Sequence, residues 1–233
     1  MKKRGDTHVG VVLSFVIFIT FLIFVYTILI QPAISQTSKQ SVLENLKIKL
    51  TDEISGELTV ATINIEDKPQ NCIRLSNLIT DIGVNSNIIV KDKLGVTQTS
   101  YDLSNDLEIS RDNSDDTFFK VYHSNEFSAL STTGETLCTP TTYTKGLVRT
   151  SKYIFESKIL NLMNDYETNY ETIKNNLEIH SSSNFGLGFR YGNGTSIRVP
   201  ENLTTNIYAL EIPSQYISKD SDIKLGFLNI RVW

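Results

Sequence analysis

Few residues of this 233-residue chain stand at spacings that do chemistry. Gly186, Gly188 and Gly192 follow a predicted strand, as the glycines of a dinucleotide-binding loop would. Their spacing is G-x-G-x-x-x-G, and a further turn and strand follow where that chemistry needs a helix N-terminus for the pyrophosphate. Tight turns and hairpin geometry account for them instead, and Tyr191-Gly-Asn-Gly194 is itself a turn signal. Asp112, Ser114 and Asp116 alternate as calcium ligands do. Thr117 replaces the required glycine and His123 the bidentate glutamate, so a solvated acidic turn is expected. Asp102, Ser104 and Asp106 fail in the same way at Leu107. His8, His123 and His180 stand apart from cysteine or carboxylate partners at zinc-ligand spacing. A serine nucleophile has no G-x-S-x-G elbow to place it, and a glycosidase-type carboxylate pair leaves no local pattern to read. The expectation is a protein without enzymatic activity, metal or cofactor.

Two kinds of covalent modification are legible. Cys72 and Cys138 are the only cysteines. A disulfide between them would constrain the unfolded chain, whereas two buried thiols would act as small apolar side chains. Asn193-Gly-Thr195 and Asn202-Leu-Thr204 match the N-glycosylation sequon in turn-like surroundings, although an Asn- and Thr-rich chain also forms sequons by chance.

The elements that must position these residues begin with the plainest feature in the sequence. From Val9 to Ile30 the chain carries no charge and is almost wholly apolar. A helix rising about 1.5 Å per residue spans a hydrocarbon core of about 30 Å over such a length, and it satisfies its own backbone there. Lys2, Lys3 and Arg4 precede the span, which predicts a cytoplasmic tail over residues 1–8 and an extracytoplasmic remainder in the plasma membrane. Pro32 marks the expected exit. Ala33-Ile-Ser35 also resembles a signal-peptidase site, but the apolar run is longer than the roughly 7–15 residues of a secretory signal.

Beyond the span the chain is acidic. Removing Lys2, Lys3, Arg4 and Asp6 from 22 basic and 26 acidic residues leaves 19 and 25, a net charge of −6. Such a surface repels phosphate and excludes nucleic acid as the expected partner. Residues 31–56 read as a short stalk. Val42, Leu46, Leu50 and Ile54 recur every four residues as in a helix, while Leu46-Lys-Ile-Lys-Leu50 alternates as in a strand. Ser55-Gly56 closes the element in either case.

Residues 57–233 read as a single β-rich domain in an α+β chain. Strands are expected at 57–65, 72–75, 87–91, 96–101, 107–110, 118–123, 143–155, 185–191, 197–199, 207–212 and 223–232, forming a twisted antiparallel sheet or a sandwich. One amphipathic helix interrupts them over 156–177. Its stripe of Ile159, Met163, Tyr166, Tyr170, Ile173 and Leu177 is a core face or, less simply, a partner-binding one.

Lys2-Lys-Arg-Gly5 directly before a long hydrophobic helix resembles the class III signal peptides of type IV pilins and archaeal pilin-like surface proteins. The resemblance covers about the first thirty residues and the general plan of a helix followed by a β-rich head. It implies cleavage between Gly5 and Asp6, followed by packing of the helix with its copies, or with other pilin-like subunits, in a filament core. Asp6-Thr7-His8 departs from pilins that carry a glutamate early in the hydrophobic stretch. The alternative function is an uncleaved anchor in the lipid bilayer that displays a module for glycans, cell-wall polymer or another membrane protein.

Overall fold

The computed structural model describes residues 6–66, 70–111, 115–134, 138–181, 183–200 and 207–233, with backbone alone at 6–9 and 29–38. Helix α1 (Asp6–Val25), a π-helical turn (Tyr26–Ile30) and helix α2 (Gln31–Glu53) follow without a break. The helix therefore continues through Pro32. Proline lacks the N–H that an α-helix would use at that position. A π-register pairs N–H(i+5) with C=O(i), so the turn just before Pro32 can pass over the missing donor.

The local ambiguity at 46–50 resolves as helix. Leu46 and Leu50 are 1% and 0% exposed while Ile48 is 69% exposed, a difference that a strand carrying all three on one face could not produce. The buried stripe is Leu43, Leu46, Leu50 and Ile54, with Val42 at its margin. A strict four-residue step drifts around a 3.6-residue helix, and starting one residue later keeps the stripe facing the core.

Strand β1 (Ser55–Ile65) leaves α2 directly and lies in mid-sheet, between β6 (Phe118–His123) and β8 (Tyr143–Phe155), antiparallel to both. On the β6 side come β3 (Ile88–Asp92), β4 (Thr97–Leu103), β5 (Asp106–Ser110), β2 (Cys72–Leu75) and the two-residue β7 (Thr139–Pro140). Strand β4 turns the corner: Thr97 and Gln98 pair with β3, and Thr99 to Leu103 pair with β5. The sheet thus folds over itself, and Ala61, Ile63, Val90, Leu107, Ile109, Phe119 and Val121 fill the space between the layers. Helix α3 (Leu78–Ile82) and β7 escape sequence reading because each is too short to show a period.

On the other side of β8 lie β11 (Tyr208–Ile217), β12 (Ile223–Val232), β9 (Phe185–Tyr191) and β10 (Ser196–Val199). Strand β11 extends past the expected end at Ile212 and runs through Pro213. It pairs with β8 only at Tyr216 and Ile217, so among the described residues its outer edge over 208–215 has no ladder bond for a proline to remove. Helix α4 (Glu156–Asn176), with non-helical torsions at Asn169, continues from β8 and packs with α2 on this half of the sheet. Its expected stripe faces inward: Ile159, Met163, Tyr166 and Leu177 are buried, and Tyr170 and Ile173 pack beside them.

Candidate functional site

The most unusual surface is the N-terminal half of the long helix. Gly10 to Ile28 is long and apolar enough to cross a membrane, and none of it is covered by the rest of the chain. Phenylalanines at 15, 18, 21 and 24 are more than half exposed, and aliphatic side chains flank them from Val11 to Ile28. A continuous apolar surface of this kind is stable only in lipid or against other apolar helices. Its two threonines are satisfied within the helix. The Thr20 hydroxyl donates to the Ile17 carbonyl at 2.8 Å and the Thr27 hydroxyl to the Ile23 carbonyl at 2.9 Å, which lets both residues sit in an apolar setting.

The other end of the helix is locked to the head. Burial of Leu43, Leu46, Leu50 and Ile54 removes four large side chains from water, worth about 1.5–3 kcal/mol each. Lys49 pairs with Glu178 just beyond α4 at 2.6 Å, and Lys152 of β8 pairs with Asp52. Between α2 and α4 lies a groove of about 590 Å³, floored by Leu162, Ile173 and Leu177 and rimmed by Asp52, Asp165 and Glu178.

An aromatic cluster underlies α4. The Tyr166 hydroxyl donates to the Phe185 carbonyl at 2.6 Å, and Tyr170 stacks on the Phe185 ring at 5.5 Å. Burial raises the Tyr166 and Tyr170 hydroxyls above the ordinary tyrosine range. Tyr191, at an open groove with Glu156 and Tyr216, is pushed up to about 12, first by burial and then by the Glu156 charge. These tyrosines act as neutral packing groups with a hydrogen bond to give.

No protein-family model, curated protein or solved structure matches this chain. The reading of each candidate residue therefore rests on its own surroundings.

Cys72 and Cys138 are bridged, with Cα atoms 4.6 Å apart, and both are buried. The bond ties β2 to the residue before β7, beside the parallel pair Ile73 and Thr139. Asn193 is exposed in the turn between β9 and β10, where its Oδ1 accepts from the Thr195 backbone N–H at 3.0 Å and from the Thr195 hydroxyl at 2.7 Å. Asn202 and Gly5 lie outside the described residues, and Asp6 opens α1.

The described carboxylates of the acidic motifs have structural partners. Asp112 and Ser114 lie outside the described residues, and Asp116 is buried and paired with Lys93 at 2.9 Å, so it is not the solvated side chain expected. The Arg111 guanidinium donates to the Asp116 carbonyl at 2.8 Å and holds that residue inward. Ser104 and Asn105 both have positive φ in the β4–β5 hairpin, with Asp102 accepting from the Asn105 N–H and Asp106 from the Asn77 N–H. His123 bonds Asn85 at 2.8 Å, and burial holds its ring below the usual histidine range. Among the described residues no three His, Cys, Asp or Glu side chains are grouped to hold a metal ion.

The glycines differ in cause. Gly194 takes φ +89° in the hairpin turn, as expected. Gly186 and Gly188 lie inside β9, where a Cβ would fall 2.8 Å from the Val199 carbonyl oxygen and 3.1 Å from the Arg198 Cβ. Close approach of β10, more than any turn, requires them.

Sequence reading also missed a buried pair. Glu108 is fully buried on the outer side of β5, with one oxygen 2.7 Å from the Arg74 guanidinium. Its signal was faint, a charged residue at an alternate position of an otherwise apolar strand.

Proposed function

We propose that the chain is a non-enzymatic, pilin-like structural subunit or accessory of a surface filament or secretion apparatus. Before assembly it stands in the plasma membrane, with residues 1–8 cytoplasmic and the β-rich head outside. The observation that carries this reading is the division of one continuous helix into two uses. Its first half presents an uncovered apolar surface long enough to span a bilayer, and its second half is part of the head's core. A helix continuous with its head couples the packing of one to the placement of the other. Transfer of the exposed half from lipid to a bundle of like helices costs little, because both surroundings are apolar.

Two further features support it. Lys2-Lys-Arg-Gly5 provides the basic stretch and glycine at which a class III signal peptide would be cut, leaving Asp6 as the new N-terminus. The Cys72–Cys138 bridge suits a head that matures in an oxidising compartment. The test is the intact mass of the native protein. Cleavage between Gly5 and Asp6, together with filaments in surface preparations that vanish on deletion of the gene, is the expected result. An uncut Met-Lys-Lys end overturns it and leaves a surface-binding module on an uncleaved anchor.

A further inference from the structure

We infer that the free edge of β8 is a docking surface for the outer face of α4 on a second copy of this chain. Strand β8 is thirteen residues long, and β1 pairs with it on one side from Tyr143 to Ile154. On its other side only Ile154 and Phe155 have a ladder partner among the described residues, namely Tyr216 and Ile217 of β11. Residues 144–150 are exposed throughout, and Leu147 is 72% exposed. A long unpaired strand edge with an uncovered aliphatic side chain is a surface that proteins ordinarily cover or block.

Its charge says what can cover it. From Tyr143 to Phe155 the strand carries Lys145, Arg149 and Lys152 and no carboxylate, in a chain whose net charge is −4. Lys152 is paired with Asp52, while Lys145 and Arg149 form no ion pair among the described residues. Two β8 edges brought together would oppose cation to cation, which disfavours symmetric edge-to-edge pairing. The complementary surface is on α4. Leu160, Asn164 and Glu167 follow one another at steps of four and three along one line of that helix, and Glu171 comes just after its non-helical residue Asn169, all four exposed, with Arg198 of β10 at the margin. Neither Glu167 nor Glu171 has an ion-pair partner among the described residues. An aliphatic side chain with cations on one surface thus faces an aliphatic side chain with carboxylates on the other. The two surfaces are different parts of the chain, so the contact is heterologous and repeats from copy to copy without needing to close.

This inference deepens the filament reading and rests on it only for what the repeated contact builds. The test uses the full chain in detergent micelles, with self-association measured by sedimentation and by lysine–carboxylate crosslinking. Either K145E/R149E or E167K/E171K weakens association about tenfold, and an equimolar mixture of the two variants restores it, because each then offers the charge the other lacks. Moderate salt weakens the wild-type contact in the same direction. Unchanged association in both variants, or failure of the mixture to recover, overturns the proposal; retention of the Cys72–Cys138 bridge and of the circular dichroism spectrum shows that the variants are folded. An uncut N-terminus with intact, charge-dependent association would sink the pilin reading and leave this contact standing.

Discussion

The two halves of the head enclose their cores by different means. The half containing β9 to β12 has one sheet layer, and its inner face is covered by α2 and α4, so its core mixes aliphatic residues with Tyr166, Phe185, Phe189 and Tyr216. The half containing β2 to β7 covers itself by folding over at β4, and its buried cluster is aliphatic apart from Phe119. Large flat rings fill the uneven space between helix and sheet, whereas branched aliphatic side chains interdigitate between sheet layers. The halves meet along β1, β8 and β11, where Leu58, Phe127, Phe155 and Ile217 form a small seam. The long N-terminal helix packs against the core of only one of them, although the strand that follows it enters both.

That contrast can be broken most severely at the aromatic core. Phe189→Ala removes a fully buried ring that touches both Tyr191 and Tyr216, and should cost about 3–5 kcal/mol in denaturant unfolding. Hydrogen exchange should rise first in 185–232 and in the second half of α2, with residues 88–123 following later. Equal loss of protection in both halves would show that they unfold as one unit.

A change in the other half sharpens the same point. Replacing Cys72 and Cys138 by serine opens a loop spanning 66 residues of sequence separation, all within the self-covered half or its edge. A loss of about 2–4 kcal/mol is expected. The exchange signature should be reversed, with β2, β5 and β7 exposed before β9 and β12.

The smallest effect tests the seam. Lys91 of β3 is buried and reaches Asp222, in the β11–β12 turn, at 2.5 Å, while its ammonium lies 5.8 Å from the Tyr122 ring centre. Asp222→Asn leaves that cation with a weaker partner and should cost about 1 kcal/mol, since Asp222 is half exposed and water replaces part of the bond. The pH dependence has a definite sign. The Lys91 hydrogen bond is the largest influence holding the Asp222 carboxyl below its ordinary 3.8, so the contribution is present above that value and lost as pH falls through the lower folded value. The variant should lose less stability than wild type on acidification below about pH 4, as followed by thermal unfolding. An unchanged acid limb would show that the strut does not join the halves.

Much of the architecture was legible because burial imposes a period. The strand at 143–155 and those at 118–123, 185–191 and 223–232 have the expected bounds, since alternating or continuous apolar runs ended by turn residues leave few other choices. The helix over 156–177 differs from α4 by one residue at its end. Misreadings fell where a local rule met a long-range condition. Pro32 marks the expected exit from the span, yet the helix continues through it by way of a π-turn, and the strand expected to end at Ile212 runs on through Pro213 along an edge without ladder partners among the described residues. Asp116 was placed in solvent because local sequence cannot show Lys93 arriving from another hairpin. Glu108 and Arg74 were passed over for the same reason, being neighbours only across the β2–β5 ladder.

The sequence alone predicts an apolar helix of spanning length over 9–30, and the structure has one over 10–28, because desolvating an unpaired backbone in lipid costs more than side-chain preference can offset. It also determined an acidic, strand-rich remainder with a single amphipathic helix. The tertiary structure decided how far the N-terminal helix runs, since Leu46 and Leu50 choose helix over strand only when a sheet is present to cover them. It likewise decided which cysteines, cations and carboxylates become partners, and among the described residues it left the second edge of β8 without a ladder partner before Ile154. Charge and hydrogen-bond partnerships depend on distance in space, and a one-dimensional pattern records that distance only where the chain is locally periodic.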